Sequence, residues 1–111
     1  MNKLIASTLL MTSLTVMQVN AAEQKVALSE LRMQPSENGI GNIEGIGQNV
    51  SGKKLKMIFV SFNLIKDGVV IGNAIASANN IEPNQKFTIS APYNSFKIKP
   101  DTFKVSDVSA H

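Results

Sequence analysis

Leu55-Lys56-Met57-Ile58-Phe59-Val60-Ser61-Phe62-Asn63-Leu64-Ile65-Lys66-Asp67-Gly68-Val69-Val70-Ile71-Gly72 is the stretch that decides the fold. Ile58, Val60, Phe62 and Leu64 recur at every second residue, the period at which a β-strand presents one face. Asp67-Gly68 follows, a pair favoured in type I′ turns because both central residues there need positive φ. A second β-branched run then returns. The stretch reads as a hairpin with strands over residues 55–65 and 69–78.

Working outward, the same period continues. Upstream, residues 25–33 place Val26, Leu28 and, less cleanly, Glu30 on one face. Residues 35–39 read as a turn, 40–48 as an unusually Gly-rich strand with bulges or close backbone contact, and 49–54 as the next turn. Downstream, 79–84 read as a loop, and 86–91 as a strand with Phe87, Ile89 and Ala91 inward. Phe96 and Ile98 alternate with Lys97 and Lys99. Pro100-Asp101 then turns the chain into a strand over 102–108 with Phe103 and Val105 inward. Beyond residue 21 the chain holds 17 Ile and Val against four Leu, and 20 Gly, Asn and Pro spread along its length. Stiff β-branched side chains suit a pleated surface, and no window repeats at helical spacing. The expected fold class is all-β: about seven strands in two antiparallel sheets packed face to face.

The first residues follow a different grammar. Lys3 supplies one positive charge, an uncharged apolar run follows, and Val19-Asn20-Ala21 ends it with the small side chains that signal peptidase reads. Ser7, Thr8, Thr12, Ser13 and Thr15 dilute the run, which disfavours a membrane anchor. The expectation is a signal peptide over 1–21, a domain over 22–111, no transmembrane segment after cleavage, and a periplasmic or secreted protein. Removing Lys3 with the signal leaves ten basic and eight acidic residues, a net +2.

Composition narrows the chemistry. With no Cys, and with one His at the last position, disulfide frameworks, thiol nucleophiles, His triads and multi-His metal sites are excluded. The eight acids are scattered singly, without the clustered oxygen ligands a hard cation requires. The expectation is no metal, no cofactor and no catalytic residue: a protein that is not an enzyme. A charge of +2 with no Trp and one Tyr offers no platform for nucleic acid. The glycines of 39–48 invite a phosphate-loop reading, but no G-x-G-x-x-G, no Gly-Lys-Ser/Thr and no following helix accompany them. Asn49-Val50-Ser51 matches a glycosylation sequon, a short pattern that is frequent by chance.

Phe62-Asn63-Leu64-Ile65-Lys66-Asp67-Gly68 resembles the run that gives the FxLYD family its name. Ile65 and Lys66 stand where that family has its Tyr and Asp. Ile43-Glu44-Gly45-Ile46-Gly47-Gln48-Asn49 is similar to its Gly-x-Val-x-Asn strand, and Ile81-Glu82-Pro83-Asn84-Gln85-Lys86-Phe87 to its loop-then-Phe segment. The likeness spans residues 40–91. It implies a small extracytoplasmic module with an immunoglobulin-like β-sandwich, in which Phe62 and Leu64 are core residues.

Two groups of residues are candidates for binding. Tyr93, Asn94 and Phe96 put two aromatic rings in a connection, where rigid sandwiches carry their contact surfaces. Lys53, Lys54 and Lys56 gather at the start of the strongest strand and read as an anion-facing patch or as solvated strand ends. The expected function is an exported interaction module contacting a protein or envelope component through the Tyr93 loop or a sheet edge. The alternatives are a small-ligand or polysaccharide-binding protein, which needs a concave pocket among the loops, and a structural subunit of an envelope assembly. The oligomeric state stays open.

Overall fold

A computed structural model describes residues 24–96 and 99–111. The expected signal peptide lies outside the described residues. Six strands account for most of the described chain: β1 (Val26–Glu37), β2 (Ile40–Asn49), β3 (Leu55–Lys66), β4 (Val69–Ile81), β5 (Lys86–Asn94) and β6 (Thr102–Ala110). They form two three-stranded antiparallel sheets, in the orders β1-β2-β5 and β4-β3-β6. Among the described residues there is no helix, and so none long and apolar enough to cross a membrane.

The decisive hairpin forms as read. Asp67 and Gly68 take φ of 48° and 80°, the two positive values a type I′ turn needs. Leu55, Ile58, Val60, Phe62 and Leu64 of β3 are buried against Ile43 and Ile89 of the other sheet's strands and Ala74 and Ala76 of β4. Phe103 of β6 meets Phe62 edge-on, with ring centroids 5.7 Å apart. One apolar core therefore lies between the two sheets, filled by alternate residues of each strand.

Three readings need correction. The turn expected over 35–39 is only Asn38-Gly39, at φ 54° and 76°, because β1 runs on through Pro35 to Glu37. As an edge strand, β1 tolerates a residue without an amide hydrogen. The bulge expected among the glycines of β2 sits across from them, where β1 shifts register between Ser29 and Arg32 around Glu30 at φ 54°. That shift explains the broken alternation at Glu30: beyond it Leu31 and Met33 turn inward. Finally, about seven strands become six among the described residues. Phe96 is 71% exposed and outside any strand, and Lys97 and Ile98 lie outside the described residues.

Candidate functional site

β2 explains how the aromatic end is built. Gly41, Ile43, Gly45, Gly47 and Asn49 face the core, and three of these five have no side chain. The space left is taken from the neighbouring strands. A Cβ on Gly47 would lie 2.3 Å from the Phe87 ring, one on Gly41 2.3 Å from the Tyr93 ring, and one on Gly45 2.5 Å from Leu31. Phe87 and Tyr93 pair directly with Gly47 and Gly41 across the β2–β5 ladder. The tip of each ring fills the space over its glycine, which is why the glycines sit mid-strand without forming a loop. The same device continues past the strand end, where Phe96 stands over Gly39 at 2.2 Å from the position of a Cβ.

The turn after β5 fixes Phe96 there. The Ser95 amide donates to the Gly39 carbonyl at 2.8 Å, and the Phe96 amide donates to Asn94 Oδ1 at 2.9 Å, an Asx turn. Ser95 is buried and Asn94 exposed. Tyr93 is half-buried, and burial pushes its phenol above the ordinary value of 10.0. Beside it opens a recess of about 490 Å³ lined by Met33, Gln34, Pro35, Tyr93, Ser95, Lys99 and Pro100. Apolar walls, one phenol, one carboxamide and the exposed Lys99 ammonium suit it to an apolar group carrying an acceptor or an anion.

This end of the molecule also collects exposed apolar side chains. The β1–β2 turn, the β3–β4 turn and the connection from β5 to β6 all lie there; the Asp67 amide donates to Asp101 Oδ2 and the Asp101 amide to the Ile65 carbonyl. Among the described residues, Phe96, Val69, Val70 and Ile40 are four of the seven large apolar residues left exposed, and all four belong to this end.

Lys53, Lys54 and Lys56 lie at the opposite end. Eight steps along β2 separate Gly41 from Asn49, about 26 Å at the rise of a strand. Tyr93, Asn94 and Phe96 are thus brought together, and the three lysines form a second, separate group. Lys54 Nζ approaches Glu82 at 3.9 Å, while Lys53 and Lys56 are exposed. Every described lysine is exposed. Among the described residues no three His, Asp or Glu side chains gather into a possible metal site. Glu44 meets Arg32 at 3.5 Å and Asn42 at 3.0 Å on the outer face of β2.

Asn49 is the residue the sequence undervalues. It is 0% exposed, and each of its four hydrogen-bonding positions is used. Nδ2 donates to the Lys53 carbonyl at 2.8 Å and the Ile81 carbonyl at 2.9 Å, while Oδ1 accepts from the Ser51 amide at 2.9 Å and hydroxyl at 2.7 Å. Its backbone also bonds the loop after β4, through Gln85 and Asn84. Asn49 therefore sets the conformation of the lysine-bearing loop, and its amide is closed to the glycosylation that the sequon suggests. The sequence contains a hint: an Asn on the inward parity of β2 must find partners if buried. The chain matches no family model, no curated protein and no solved structure.

Proposed function

We propose that this protein is an exported binding module of the periplasm or cell envelope, without catalytic activity, that contacts a protein or envelope component through its aromatic end. The observation that carries this reading is Phe96. Phe96 is 71% exposed, yet the Asx turn at Asn94 and the Ser95–Gly39 bond hold its backbone at a fixed position. An aromatic ring so exposed adds little to folding, whereas rigid rings at a protein surface are the usual anchors of an interface. Tyr93, Ile40, Val69 and Val70 extend the apolar area around that end, and Lys99 supplies a cation beside it. The residue pattern of the hairpin and of β2 supports an immunoglobulin-like sandwich of the FxLYD kind, and the apolar run before Ala21 supports export.

Affinity capture from the envelope of the producing cell, comparing the unmodified protein with Phe96→Ala, tests this reading. The variant is expected to keep its thermal transition and lose the captured partner. An identical partner set from both proteins contradicts it. Phe96 is the better probe than Tyr93, whose half-buried ring also contributes to stability.

The recess beside Tyr93 favours a second reading, a small-ligand or polysaccharide-binding protein. Filling the recess with Met33→Trp would then abolish ligand-induced thermal stabilisation, while capture of a macromolecular partner through Phe96 would persist.

A further inference from the structure

We propose that the free edge of β6 is a self-association surface. Two copies of the chain pair antiparallel along residues 102–109, with Lys104 of each copy opposite Asp107 of the other.

The two long sides of the molecule differ. On one side, edge strands β4 and β5 lie against each other and close the core; on the other, β1 and β6 hardly meet. The consequence is visible in β6. Phe103, Val105, Val108 and Ala110 face inward but are only half-buried, although their β3 partners Leu64, Phe62, Val60 and Ile58 are fully buried. Among the described residues no strand bonds the outer edge of β6.

The register of β6 then selects a partner. Ser61 pairs with Asp107 and Phe62 with Val105, so Ser106 is an extra residue, a bulge. Before the bulge Phe103 and Val105 point inward; after it Val108 and Ala110 do. A strand that pairs with its own copy does so about a two-fold axis. In a regular strand, an axis falling between two residues would set inward side chains against outward ones. The bulge inverts the parity at the centre of β6, so an axis between Val105 and Ser106 matches like with like. Phe103 then faces Val108 on the core side, while Thr102 faces Ser109 and Lys104 faces Asp107 on the outer side. Lys104 and Asp107 are the only charged residues of β6, and symmetry forms their pair twice. The register also stops where the edge is already occupied. His111 bonds inward to β3, which turns the neighbouring Ala110 carbonyl to the free edge, where Lys25 Nζ donates to it at 3.3 Å.

A bulge and a lysine on an edge strand also serve to prevent association. The two roles separate by charge exchange. Sedimentation equilibrium of the chain expressed from Met1, over micromolar to millimolar concentrations, should show a monomer–dimer equilibrium. Lys104→Glu and Asp107→Lys should each weaken the dimer about tenfold or more, because like charges then oppose each other twice. The exchanged pair Lys104→Asp/Asp107→Lys should restore it. A monomer at every concentration overturns the proposal, as does a dimer indifferent to the single changes or not restored by the exchange. Amide hydrogen exchange on the unmodified protein gives a check free of mutation: β6 amides should gain protection as concentration rises, and protection independent of concentration overturns the proposal. Failure here leaves the aromatic end untouched, since Phe96 and β6 self-pairing have separate readouts.

Discussion

At the scale of single residues, Asn49 and Tyr93 show opposite uses of burial. Asn49 is wholly buried and fully bonded, so its removal strands the Ile81 carbonyl and the Ser51 amide and leaves the Lys53 carbonyl with only the Ser51 hydroxyl. An unpartnered buried polar group is costly, and Asn49→Ala is expected to lower stability by about 3 kcal/mol in urea denaturation. A loss within experimental error would show that water replaces the side chain without penalty. Tyr93 is the only tyrosine in a chain with no tryptophan, so phenolate absorbance reports it alone. Burial favours the neutral phenol in the folded state, and its midpoint should lie above 10.0. Since the folded state holds this proton more tightly, stability is unaffected below the unfolded value and declines as pH rises towards the folded one. A midpoint at or below 10.0 would place the ring in water. Neither role is readable from the residue type: Asn49 stands beside Val50-Ser51-Gly52 like any turn residue, and only the closing of β4 over it makes it a bonded core residue.

At the scale of elements, β2 and β5 act as one unit in which glycines on one strand seat the rings of the other. Gly47→Ala drives a Cβ into the Phe87 ring at 2.3 Å, and overpacking of this kind costs about 1–3 kcal/mol. Phe87→Leu in the same chain should recover part of that loss, so the double-mutant cycle yields a coupling of about 1 kcal/mol. Strict additivity of the two changes would refute the seating. Gly41→Ala should act likewise on Tyr93 and, by lifting the ring into solvent, bring its titration back towards 10.0. The strands themselves were legible because one buried face leaves a period of two, clearest in β3 and at Phe87, Ile89 and Ala91 of β5. The Gly-rich strand was legible as a strand, but not the reason for its glycines, because the rings that fill them lie about 40 to 50 residues away in sequence. The bulges at Glu30 and Ser106 stayed hidden for a related reason: a one-residue shift is defined by the partner strand.

At the scale of the whole molecule, the two ends of the sheets carry different chemistry. One end holds Tyr93, Phe96 and four of the seven large exposed apolar residues among those described; the other holds Lys53 and Lys54 on a loop fixed by Asn49, with Lys56 at the start of β3. The two rings and the proline were legible, but as a connection; Pro92, Tyr93 and Asn94 instead belong to β5, and only Ser95 and Phe96 lie in the turn beyond it. That the rings stand over glycines, and that the turns of both sheets meet there, depends on strand order and could not be read in advance. The chain's first residues carry their own prediction: N-terminal sequencing of the protein purified from the cells that make it should begin at Ala22, and a chain retaining Met1 would contradict the proposed export. The most direct test of the central claim maps the bound partner onto the surface. Amide chemical shifts of the labelled protein, followed as the captured partner is added, should move at residues 38–41, 93–96 and 99–101 and stay fixed around Lys53 and Lys56. Shifts confined to the lysine end, with Phe96 and Gly39 unmoved, would contradict it.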